Sequence, residues 1–73
     1  MAIQCYNVHL TDGTVIITGE DYDIPIESGF VSKFIAARED DVLTIRSARS
    51  IDVECYVPKK SILFVSTGDV LTT

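Results

Sequence analysis

Pro58 divides the most strongly patterned stretch of the chain. Before it, residues 51–57 read IDVECYV. After it come Lys59, Lys60 and Ser61, then the apolar run ILFV at 62–65. Proline has no amide hydrogen to give to a sheet, so one strand ends there and a turn begins. In the first run Ile51, Val53, Cys55 and Val57 alternate with Asp52, Glu54 and Tyr56, the period of a strand with one buried face. The second run is apolar on both faces, which predicts a strand covered on both sides. In a chain of 73 residues, one of those covers can be a neighbouring subunit.

The same period appears earlier. Over residues 5–10, Tyr6, Val8 and Leu10 alternate with Cys5, Asn7 and His9, which predicts a strand. Residues 1–3 are too short for an element of their own. Thr11-Asp12-Gly13-Thr14 is a hairpin turn, because glycine takes the positive φ that such a turn requires. Residues 14–18 are rich in β-branched side chains and predict the second strand, with Gly19 marking a bulge or bend. Residues 20–23 form a polar, acidic exit. Residues 24–29 read as irregular.

From Phe30 the period changes. Phe30, Val31, Phe34, Ile35 and Ala37-Arg38 form a helical stripe, which predicts a short helix over 29–38 with Ser28 available as its cap. A strand over 31–37 is the competing reading. Glu39, Asp40 and Asp41 oppose the dipole at the helix C-terminus unless they simply form the turn. Residues 42–46 are a strand with Leu43 and Ile45 on one face, residues 47–50 a loop, and residues 67–73 a tail. Residues 1–73 thus form a single, mainly β domain of five strands and one short helix. A small, strongly bent antiparallel barrel is the natural way to bury five such strands.

Composition narrows the function. A hydrophobic content of 47% excludes disorder. A net charge of −5 argues against a broad basic surface that coats nucleic acid, though not against a small local basic site. No apolar run approaches the roughly 20 residues of a membrane helix, and no targeting segment is recognisable, so the expected address is cytoplasmic. In that compartment Cys5 and Cys55 are expected as free, buried thiols. Cys5 and His9 lack two further ligands at ligand-like spacing, so no metal site and no cofactor are expected. A Cys-His catalytic pair exists by inventory only, and the chain has little room for a deep pocket; it reads as a non-enzyme.

The motifs Leu10-Thr11-Asp12-Gly13, Gly19, Tyr22-Asp23 and Pro58-Lys59-Lys60-Ser61-Ile62, in that order, resemble the Sm-like family of the LSm and Hfq type. Lys59 matches the lysine, and Lys60 the histidine, of the Hfq-type turn between the last two strands. Ile26-Glu27 stands where the family usually has a hydrophobic-Asn pair. The resemblance implies a homo-oligomeric ring of about five to seven copies that binds single-stranded RNA or DNA, with the basic turn repeated around a pore. It implies that Lys59 and Lys60 meet phosphates or base edges, and that Val57, Leu63 and Val65 build the subunit interface by strand addition.

Each residue also has a plainer reading. Lys59 and Lys60 are equally a solvated turn that blunts an edge strand. Arg46 and Arg49 flank the loop before Ile51; Arg46 reaches either a nucleic acid or Glu54 across the sheet. Tyr22 and Tyr56 either stack on bases or pack as amphipathic side chains. The alternative for the whole chain is an oligomeric β-barrel interaction or structural module that binds no nucleic acid. Its acidity and the missing asparagine favour that reading.

Overall fold

The computed structural model describes residues 2–48 and 53–72. Among them are five strands and one α-helix: β1 (Ala2–Leu10), β2 (Val15–Asp21), α1 (Phe30–Ala36), β3 (Val42–Arg46), β4 (Glu54–Pro58) and β5 (Ile62–Thr72). They form two antiparallel sheets, one in the order β2-β1-β5 and one of β3 paired with β4. The sheets meet where Thr18 of β2 bridges to Ser47. There the buried Thr18 hydroxyl donates to the Arg46 carbonyl at 2.7 Å, and the Ala48 amide donates to the Ile17 carbonyl at 2.8 Å. Residues 51 and 52 of the expected 51–57 strand lie outside the described residues, as does part of the expected 47–50 loop.

The hairpin forms as its sequence requires. Gly13 has φ +92°, a conformation open to glycine and strained for other residues. The Leu10 amide donates to the Thr14 carbonyl at 2.8 Å, and the Thr14 amide donates to Asp12 Oδ1 at 2.9 Å. That amide, and then the Thr14 side chain, hold the Asp12 carboxyl below its ordinary pKa. A depressed carboxylate stabilises the fold above its unfolded-state pKa, and the contribution is lost as pH falls through the lower folded value. The stability difference between the wild type and Asp12→Asn should therefore be constant above about pH 5 and shrink under stronger acid. Urea unfolding of both proteins across that range checks it.

Both ends of the chain differ from the sequence expectation, for one reason. Residues 2 and 3 belong to β1, and most of the expected 67–73 tail belongs to β5, because the two segments pair: Ala2 with Thr72, Ile3 with Leu71 and Gln4 with Val70. Gly68-Asp69, a pair that in sequence suggests a turn, is absorbed as a register shift between Gln4 and Tyr6. Gly19 marks no bulge, since β1 and β2 keep one register throughout. A Cβ on Gly19 would stand 2.9 Å from Ile3 Cγ2, so this glycine permits close approach of the neighbouring side chain.

The core lies between the sheets. Val8 and Ile45 are 0% and 1% exposed, with Val57 and Ile62 beside them; Leu10, Ile16, Leu43 and Val65 pack around that cluster. Residues 30–36 are helix and not strand. Of the predicted stripe, Phe30 and Phe34 reach the core, while Val31 and Ile35 are exposed. Ser28 does not cap α1. Gly29 precedes the helix, and the Phe30 amide donates to Glu20 Oε2 at 2.8 Å, so β2 supplies the capping carboxylate. The acidic residues after α1 do form a turn, in which the Arg38 amide donates to Asp41 Oδ2 and the Asp41 amide to the Arg38 carbonyl. Within residues 62–65, Ile62 is buried and Val65 half-buried, but Leu63 and Phe64 are exposed; the register shift from Leu10–Ile62 to His9–Phe64 puts Phe64 beside His9 on the outer face of the sheet.

Candidate functional site

Of the expected nucleic-acid residues that are described, Arg46 and Tyr56 meet at Glu54 on β3 and β4, while Tyr22 lines a separate groove. Lys59 and Lys60 lie in a short 3-10 turn, Lys59–Ser61, that follows Pro58. The Lys59 ammonium donates to the Ile35 carbonyl at 3.4 Å and to the Ala37 carbonyl, and it sits 5.1 Å from the centre of the Phe34 ring. A cation on the last carbonyls of a helix satisfies groups that have no partner within the helix and complements the dipole. Lys59 is thus the C-terminal clasp of α1, and Lys60 is the exposed lysine of the turn. Lys59→Ala should cost about 1 kcal/mol of stability. It should also speed amide exchange in α1 more than in β1, which NMR exchange rates would test.

Arg46 lies on the exposed face of β3. Its guanidinium is 3.1 Å from Glu54 Oε1 across the sheet, and the Tyr56 hydroxyl donates to Glu54 Oε2 at 3.2 Å. These three side chains form an exposed patch in which Glu54 engages both of its neighbours. Arg49 lies outside the described residues. Of the three residues expected at a subunit interface, Val57 belongs to the core and Val65 packs against it. Leu63, 64% exposed, is the one that presents its side chain outward. Cys5 is buried and Cys55 half-buried, both as free thiols.

Tyr22 is elsewhere, in a half-open groove of about 310 Å³. Ile16, Thr18 and Glu20 share the inner face of β2, opposite Val8, Tyr6 and Gln4 of β1. At the far end of that face Gln4, Tyr6, Glu20 and Thr67 line the groove, and no residue of β3 or β4 does. Tyr22, Ile24, Ile26 and Val31 supply apolar walls. The Tyr6 hydroxyl donates to Glu20 Oε1 at 3.1 Å, and burial, then Glu20, raise its pKa above the ordinary value. Glu20, expected at the start of the polar, acidic exit, belongs instead to β2. The available signal was its two-residue spacing from Thr18 and Ile16, which puts a carboxylate on the inward face.

On the outer face of the same sheet, the His9 ring stacks on Phe64 with centroids 4.0 Å apart, and His9 Nε2 is hydrogen-bonded to Ser66 Oγ at 3.2 Å. Among the described residues no group of three or more His, Cys, Asp or Glu side chains is placed to hold a metal, and no helix is long and apolar enough to cross a membrane.

Fold and surface together define a small, mainly β protein with two sheets, an apolar groove and exposed apolar rims. In comparisons with protein-family models, with curated proteins and with solved structures, the chain matches none.

Proposed function

We propose that the chain is an oligomeric β-barrel interaction module whose copies join through their sheet edges. In this reading the two sheets are one strongly bent, partly open barrel in the order β5-β1-β2-β3-β4, with the Thr18–Ser47 bridge as its narrow seam. The carrying observation is that β4 and β5 end that order, each pairing on one side alone among the described residues. Unpaired edges of this kind accept a further strand. The surface supports the reading. Among the described residues five hydrophobic ones are buried, while fourteen large ones are exposed, Leu63, Phe64, Val70 and Leu71 of β5 among them. A domain this small gains stability by covering such a surface.

Light scattering coupled to size exclusion tests it. The expected result is a discrete mass of several subunits. Leu63→Lys, which places a charge at the β5 rim, should shift that mass toward one subunit while the circular dichroism spectrum is unchanged. A wild type of single-subunit mass removes the reading.

A second reading, an Sm-like ring that binds single-stranded nucleic acid, is favoured by one observation. Lys60 stands exposed in the turn that links the two edge strands. Ring closure would repeat it around the axis and concentrate positive charge there. Salt-sensitive binding of oligo-U that Lys60→Ala weakens would support this reading. Equal binding by Lys60→Ala, or none at low salt, would remove it.

A further inference from the structure

The groove beneath α1 combines three properties. Its walls are apolar and open: Ile26 is 85% exposed, and Tyr22 presents more than half of its surface to solvent. Its floor carries the Glu20 carboxylate, and its rim carries Asp21, while among the described residues no lysine or arginine lines it. Its volume of about 310 Å³ lies at the bottom of the range for small-molecule sites, so it suits one long side chain better than a cofactor.

The chemistry of Glu20 defines the occupant further. Oε1 accepts from the Tyr6 hydroxyl and Oε2 from the Phe30 amide. A carboxylate has about four acceptor positions, so each oxygen keeps one for a ligand. Two parallel acceptors match the fork of a guanidinium, whose flat face also stacks on an aromatic ring such as Tyr22. Phosphate is repelled by the same carboxylates.

We propose that this groove docks an extended segment of a protein partner, which inserts an arginine side chain between the Tyr22 ring and the Glu20 carboxylate. The apolar walls Ile24, Ile26 and Val31 take the flanking side chains of that segment. Charge complementarity with an acidic chain, −5 overall, brings a basic segment to this mouth.

The test uses the full chain and a fluorescein-labelled peptide, Gly-Thr-Val-Arg-Val-Thr-Gly. A second peptide carries citrulline, which keeps the shape of arginine and removes its charge. Fluorescence anisotropy should give the citrulline peptide an affinity about tenfold lower. Glu20→Gln keeps an acceptor for the Phe30 amide, so the helix cap survives. It should weaken the arginine peptide about tenfold and leave the citrulline peptide unchanged. Tyr22→Ala, at an exposed wall, should weaken the arginine peptide about threefold. Amide shifts should centre on Tyr6, Glu20, Tyr22 and Val31.

Equal binding of the two peptides overturns the proposal, as does an absence of binding at millimolar peptide or a set of shifts centred on β4. If arginine amide alone binds as tightly as the peptide, the occupant is a small cation and the partner segment is refuted. The outcome is separable from the assembly reading. A monomer that prefers arginine over citrulline removes the oligomer and keeps the groove, and an oligomer that binds both peptides alike does the reverse.

Discussion

Ile45→Ala should lower the unfolding free energy by about 3–4 kcal/mol, enough to leave a domain of this size largely unfolded at room temperature. Ile45 lies on the inward face of β3 at 1% exposure and packs with Val8, Val57 and Ile62, so the lost atoms leave a cavity that all four strands β1, β3, β4 and β5 would have to close. Core sites pinned by several strands relax little, which places the cost in the upper part of the usual range. Ile35→Ala is the matched control. Ile35 is 70% exposed on α1, and its loss should stay within about 0.5 kcal/mol. Urea midpoints for the two variants decide the point. Similar losses at both positions would mean that the core is not where the burial pattern puts it.

Glu20→Ala should be the next most costly change considered, at about 2 kcal/mol. The carboxylate caps α1 through the Phe30 amide and accepts from the Tyr6 hydroxyl, so one truncation strips two donors of their partner. Tyr6 and Phe30 also meet through their rings, 5.6 Å between centroids, so a shift of one is felt by the other. Glu20→Gln retains an acceptor for the amide and should lose less than about 1 kcal/mol. If alanine and glutamine prove equally mild in thermal unfolding, the helix is held by its aromatic contacts and not by the β2 carboxylate.

Much of the fold was legible in the sequence because its local signals agree with each other. The Asp12-Gly13 turn, the alternation in β1, the break at Pro58 and the helical stripe from Phe30 each needed only near neighbours, and each appears in the structure. The Arg46–Glu54 pair was legible for the same reason, since strand alternation puts both on one face. What failed to show was non-local. Nothing within residues 67–72 announces that their amides meet those of residues 2–4. Glycine at 68 reads as a turn until its partner strand is known. The two lysines of the basic turn look equivalent in sequence. Their roles diverge only because α1 ends beside Lys59 and leaves two carbonyls within its reach.

The pairing of β1 with β5 sets the order in which these strands can fold. β1 is the central strand of its sheet, with β2 on one side and β5 on the other. Its first neighbour is a tight hairpin away, and its second is the last strand described. The hairpin can close within microseconds, whereas the β1–β5 contact must wait for the loop across the whole domain to close. Topologies dominated by such distant pairings fold in milliseconds to seconds. Until then the far edge of β1 is bare, with Val8 in its middle, and it can pair with any extended segment nearby. A chain shortened within residues 67–72 would keep the pairing of Asn7 to Leu10 but leave Ala2 to Tyr6 without a partner on that side, so part of the edge would stay open to aggregation.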